Sequence, residues 1–255
     1  MADDLSLTRI GHVAVLEIHR PPANFFDGSL ITQIADAVDE LDADKDVRAL
    51  VLCSEGKHFC AGADFSGDDM GGDRVATSAR VYRGAVRLFT IKVPVIAAVQ
   101  GSAVGGGLGL ACAADFRVAS PSTRFHANFS LLGFHQGFGL SVTLPDIVGQ
   151  QQAMDMLFAS RRVPGERAAE IGLADRLVPD GQERDEALRW ATEIASAAPL
   201  AVRSMKQTLR GDRADRVSNA LDRELSEQAF LWTTKDSAAG IAANLSREKA
   251  VFTAE

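Results

Sequence analysis

Glycine stands at positions 105, 106, 107 and 109 in GSAVGGGLGLACAAD (101–115), between the apolar run VPVIAAVQG and a small-residue helix. Inside a helix each glycine costs about 1 kcal/mol relative to alanine, so the run needs a reason. The first amides of a helix have no partner within it, and the macrodipole favours negative charge there. Glycines at that point let a ligand oxygen reach the Gly106 N–H without meeting a Cβ. A tight strand-to-helix turn with close helix packing would by itself account for one or two of them. The familiar glycine motifs fit poorly. GxxxxGK[ST] lacks its Lys-Ser or Lys-Thr pair, GxGxxG has its third glycine misplaced at Gly109, and Ser102 directly follows Gly101, which breaks GxSxG.

A second small-residue segment, GKHFCAGADFS (56–66), follows another apolar run, VRALVLCS, and carries Ala61 and Gly62 at its strand end. Two such loops at the ends of adjacent parallel strands can aim two backbone amides at one point. That is an oxyanion hole, suited to a thioester carbonyl that becomes an enolate.

The elements that must hold these loops are readable from periodicity. LSLTRIG and VAVLEIHR read as strands, and VRALVLCS and VPVIAAVQG as buried strands of continuous apolar character. GSLITQIADAVDELDAD places Leu30, Ile31, Ile34, Val38 and Leu41 at helical spacing, with Ser29 as a cap candidate. A helix is expected around residues 74–90, after a glycine- and acid-rich loop. From about residue 182 strand-like runs give way to amphipathic helices in DEALRWATEIASA, PLAVRSMKQTLR, RVSNALDRELSEQAFLW and DSAAGIAANLSR. The fold class is α/β, with a core over residues 1–195 and a helical region over 196–255 expected to pack on it or on a neighbouring subunit.

Composition narrows the function classes. The chain has 255 residues, 46% hydrophobic and 24% charged, and a net charge of −7. The absence of a basic cluster argues against nucleic acid and anionic membranes as main partners. MADDLSLTRIG does not read as a signal peptide, and no apolar run reaches the roughly 18 residues of a membrane span. Cys53, Cys60 and Cys112 lack metal-ligand spacing and fit a reducing compartment. A cytoplasmic protein without a metal is expected.

SEGKHFCAGAD together with VPVIAAVQGSAVGGGLGLACAADFRVAS resembles the signature of the enoyl-CoA hydratase/isomerase (crotonase) family. RPPANFFD, LLGFHQGFGLSVTLPDIVG, AAEIGLADRLVP and DSAAGIAANLSREKAVF extend the likeness over nearly the whole chain. The resemblance implies a spiral of ββα units with a helical C-terminal region that builds trimers or dimers of trimers. It implies an acyl-CoA thioester as substrate, with no further cofactor, held by two amides assigned to Ala61 and Gly106. It also places Ala61, Gly62, Ala63 and Asp64 along the CoA adenine, Ala23 and Phe25 beside the CoA, and Gly105 at the cradle. Phe252 would reach the adenine of a neighbouring subunit.

The same resemblance exposes a departure. Hydratases of this family add water with two glutamates, at the positions held here by Gly109 and Phe129. Its dienoyl isomerases and dehalogenases use an aspartate where this chain has Gly137. With neither glutamate present, ordinary crotonyl-CoA hydration is expected to fall by about 10² or more. Gly109 is expected to leave room for a bulky acyl group against an apolar Phe129 wall, and a Gly109→Glu/Phe129→Glu pair to return hydration. His135, in the glycine-rich turn, is a candidate acid/base. His126 is weaker, because alternation along an extended 125–129 would turn it away from Phe129. Asp68 and Asp69 are candidates on the loop after Ala61, and His58 is given no role. The reading is a lyase, hydratase, isomerase or hydrolase on an acyl-CoA; the alternative is a non-catalytic acyl-CoA binder.

Overall fold

Strand β3 (Ala49–Ser54) and strand β4 (Val95–Val99) are buried at every residue, as parallel strands covered on both faces must be. They pair in register Leu50 to Val95 and form the middle of a six-stranded sheet. The computed structural model describes residues 4–63 and 74–255 of the chain. β1 (Leu5–Ile10) and β2 (Val13–Ile18) form an antiparallel hairpin on one edge, and β2 runs parallel to β3. After β4 come β5 (Ser102–Val104), helix α3 (Gly106–Ala113) and β6 (Phe116–Ala119). β6 joins the large sheet parallel to β4, while β5 leaves it to pair in parallel with β7 (Arg124–His126) in a second, three-stranded sheet. That second sheet is completed by β8 (Arg162–Pro164), and β9 (Arg176–Leu177) closes the large sheet beside β6.

Helix α1 (Gly28–Ala43) buries Leu30, Ile31, Ile34, Ala35, Val38 and Leu41, the stripe expected from its spacing. Its cap is Asp27, whose carboxylate accepts from Leu30 N at 2.8 Å, rather than Ser29. α1 lies against α2 (Arg74–Leu88) on one side of the sheet. On the other side α7 (Glu183–Ala195) sets Ala187, Ala191 and Ala195 against Val15, Val51 and Ile96. Small side chains on that face bring the helix axis close to the strands.

Helices α4 (Leu140–Val148), α5 (Gln150–Phe158) and α6 (Gly165–Glu170) lead to the last strand. The chain ends in α8 (Pro199–Arg210), α9 (Arg213–Leu231) and α10 (Lys235–Ser246). α9 sends Val217 and Leu221 into the main core and packs on α2 and α4. α8 has no buried residue and is moored by charge. Lys206 Nζ donates to Asp115 Oδ2 at 2.7 Å and Arg210 Nε to Asp115 Oδ1 at 2.9 Å.

Candidate functional site

The two small-residue loops do meet. Cys60 and Ala103 form a parallel bridge, with Cys60 N donating to Ser102 O and Val104 N to Cys60 O, both at 3.0 Å. Each glycine of the run then has its own cause. Gly105 sits at φ +55°, a conformation costly for a residue with a Cβ, and caps α3. A Cβ at Gly106 would lie 2.4 Å from the Phe26 ring, and one at Gly107 would lie 2.2 Å from the Cys60 carbonyl oxygen. The close approach is made by the protein's own ring and backbone.

Among the described residues Gly106 N has no acceptor, as expected at the start of a helix. The Ala61 assignment needs correction. Ala61 N donates to Ala23 O at 2.9 Å, so its single proton is committed to tying this segment to the RPPANFFD stretch. Past it in the segment, Gly62 N and Ala63 N have no acceptor among the described residues. Ala63 and Gly106 each lie three residues past the Cys60–Ala103 bridge. Both line one cavity of about 110 Å³.

Phe26, Val81, Phe129, Leu132, Phe134 and Phe138 make this cavity largely apolar. Phe26 reaches it because Phe26 N donates to Gly62 O at 3.0 Å and Phe26 bridges Ala63. Alternation in that short extended stretch then turns its neighbour outward, leaving Phe25 40% exposed. Phe26 is a wall residue that the resemblance does not name; the adjacent pair FF in an extended segment is the signal for it. Gly62 and Gly105 line the cavity with Ala63 and Gly106, whereas Ala23, Phe25 and Phe252 are not among the lining residues. Asp64, Asp68 and Asp69 lie outside the described residues.

The expected acid positions divide. Phe129 lines the cavity as the apolar wall expected of it, but Gly109 opens no space, since Phe138 fills the position. Gly137 is likewise closed: a Cβ there would lie 2.0 Å from Tyr82 Oη. His135 does not line the cavity. Its Nδ1 is 2.8 Å from Gln136 O, and its carbonyl accepts from Gln228 Nε2 at 2.9 Å. His126 is buried with Nε2 3.0 Å from Ser160 O, and burial pushes its pKa down. Phe129 is not part of an extended run, because its backbone is already αR at φ −62°. Alternation from His126 therefore does not reach it. His58 has its Nδ1 buried without a partner, and burial, with Lys57, holds its pKa low.

Among the described lining residues Asp27 is the only carboxylic acid. Burial opposes its ionisation, but the Leu30 amide and the Arg20 guanidinium, 2.8 Å away, outweigh it and hold the carboxyl below its ordinary value. It is committed to capping α1. No group of three or more His, Cys, Asp or Glu among the described residues could hold a metal ion. The arrangement can therefore polarise a carbonyl oxygen with two amides in an apolar chamber.

A mixed six-stranded sheet, a three-stranded sheet and a helical tail, with two small-residue loops on the wall of one apolar cavity, define an α/β class of fold. The chain belongs to the enoyl-CoA hydratase/isomerase family, whose model matches residues 8–255. It is similar to a short-chain-enoyl-CoA hydratase of Clostridium acetobutylicum, with 32% identity over 97% of this chain and 96% of that protein. Among solved structures it resembles an enoyl-CoA hydratase/isomerase from Pseudoalteromonas atlantica T6c (TM-score 0.89, 29% identity, 98% of this chain and all of that one). It also resembles EchA1_1 of Mycobacterium paratuberculosis (TM-score 0.87, 30% identity, all of both chains). The fold is the crotonase fold. No helix among the described residues is long and apolar enough to cross a membrane.

Proposed function

We propose that this chain binds an acyl-CoA thioester with its carbonyl oxygen on the amides of Ala63 and Gly106, and that it acts on the α-carbon through the enolate so stabilised. The observation that carries the reading is that these two amides, from segments joined by the Cys60–Ala103 bridge, have no acceptor among the described residues and belong to residues lining one apolar cavity. Crotonyl-CoA hydration is weak in this reading, because no described residue replaces the two glutamates. The acyl group lies among apolar rings, and the reaction is of the lyase or isomerase type. The protein works as a cytoplasmic homo-oligomer.

A non-catalytic binder is the second reading. It is favoured by the commitment of Asp27, the only described acid on the wall, to Leu30 and Arg20. Calorimetry with an acyl-CoA and the matching free acid tests the shared part. Tighter binding of the thioester supports it, and equal or absent binding of both removes it. Product analysis across a panel of acyl-CoAs then separates enzyme from binder.

A further inference from the structure

Away from the cavity, three side chains stand in the order nucleophile, base and orienting acid. Ser6 Oγ lies 2.7 Å from His19 Nε2, and His19 Nδ1 lies 2.8 Å from Glu55 Oε2. Both contacts are within hydrogen-bond reach, which is the geometry that activates a serine. The partners settle the tautomer of the neutral imidazole. A carboxylate only accepts, so Nδ1 carries the proton, Nε2 is the acceptor and the Ser6 hydroxyl donates to it.

The sheet sets this arrangement. Ser6 pairs with Glu17 across the β1–β2 hairpin, and Glu17 with Cys53 across the parallel β2–β3 pair. Pairing runs on past the strand ends, His19 N donating to Asp4 O and Glu55 N to Ile18 O, both at 2.8 Å. His19 and Glu55, two residues beyond Glu17 and Cys53, therefore share the face of Ser6, while Leu5 and Leu7 turn to the opposite face and the core. β1 is an edge strand. Because Asp4 and His19 are a hydrogen-bonded pair, Ser6 also spends its amide on β2, and the Leu7 N–H turns to the open edge. That is an uncommitted donor one peptide unit from Ser6, available to the oxygen of a tetrahedral intermediate. The side chains of His19 and Glu55 are 27% and 53% exposed, so ester and water reach them. Charged pairs flank the trio, Asp4 with Arg20 and Glu17 with Arg184, and offer no apolar wall to a long acyl chain.

We propose that Ser6, His19 and Glu55 form a second catalytic site, an esterase centre for short-chain carboxylic esters, separate from the acyl-CoA cavity, which none of the three lines. Ser6 Oγ bonds to the ester carbonyl carbon while its proton passes to His19 Nε2. The bond from that carbon to the alcohol oxygen then breaks, and His19 returns the proton to the departing alcohol. Water, giving its proton to His19 in the same way, releases the carboxylic acid and restores the Ser6 hydroxyl. Glu55 is a positioning residue that holds the Nδ1–H tautomer and faces the imidazolium as it forms.

The test uses the full chain with p-nitrophenyl acetate and with diisopropyl fluorophosphate, which traps an activated serine. Mass spectrometry should find the diisopropylphosphoryl group on Ser6. Wild type should release p-nitrophenol about 10² or more faster than Ser6→Ala, the worth of a positioned base. His19→Gln should lose as much as Ser6→Ala, because the two act as a unit. Glu55→Gln keeps an acceptor for Nδ1 and removes the charge, so it should lower kcat by about tenfold or more and leave KM within about twofold. An unlabelled Ser6 in the unsubstituted chain overturns the inference, as does ester hydrolysis equal in wild type and Ser6→Ala. A Ser6 label that forms at the same rate in both His19→Gln and Glu55→Gln overturns it too.

Discussion

A Cβ added to Gly109 would lie 2.5 Å from the Cβ of Phe138 and 2.8 Å from its Cγ. Phe138 is 1% exposed and holds φ +60°, a strained backbone for a bulky residue, with its ring edge-on to Phe26 at 5.9 Å. Its Cβ moves only with the backbone, so a rotamer change does not relieve the contact. Gly109→Ala should therefore cost about 1–3 kcal/mol by overpacking and lower the melting temperature by several degrees. The Gly109→Glu/Phe129→Glu pair, expected from sequence to return hydration, should instead be destabilised and remain inactive on crotonyl-CoA. A variant that folds with the wild-type melting temperature and hydrates crotonyl-CoA would show that Phe138 does not own this space.

Proline substitution separates Ala61 from Ala63, because it removes the N–H of each. Ala61→Pro breaks the bond to Ala23 and should lower thermal stability. Ala63→Pro costs no bond to a described residue, yet should reduce turnover of whichever thioester is processed by about 10²–10³, the worth of an oxyanion donor. Paired melting curves and rates decide the matter, and normal turnover in Ala63→Pro would return the role to another amide.

The Asp115 carboxyl gives a pH-dependent contribution. Burial opposes its ionisation, but the Lys206 and Arg210 charges outweigh burial and hold its pKa below the ordinary 3.8. A depressed carboxylate stabilises the fold above its unfolded pKa, and that stability is lost as pH falls through the folded value. Removing one partner of a buried pair typically costs about 3–5 kcal/mol. Asp115→Asn should cost that order at pH 7, and its deficit against wild type should shrink below about pH 4, the unfolded carboxylate value. Urea titrations at pH 7 and at acid pH measure both; a deficit unchanged across that range would contradict the assignment.

Helix α8 carries Leu200 at 82% exposure, Met205 at 62% and Leu209 at 86%, on a helix with no buried residue. Met205 and Leu209, four residues apart, share one side of α8, and such a side is expected to be covered by another subunit. Light scattering should give a trimer or hexamer at micromolar concentration, and Leu200→Glu/Leu209→Glu should lower the mass. A wild-type monomer would refute the assembly.

What the sequence determined by itself is what local rules can carry. The continuous apolar runs of β3 and β4, the helical spacing in α1 and the presence of the tail helices are set by hydrophobic pattern over residues near in the chain. The pairing of the two glycine and alanine loops also followed, because both sit at ends of buried strands. Tertiary structure decided the rest. That the Ala61 amide is spent depends on where the Ala23 carbonyl lies, nearly forty residues away in the chain. Whether Gly109 and Gly137 are openings or contacts depends on Phe138, Tyr82 and Gln228, which come from separate elements. A missing side chain is the same letter in either case, and only packing says whether the space it leaves belongs to a ligand or to the protein's own rings.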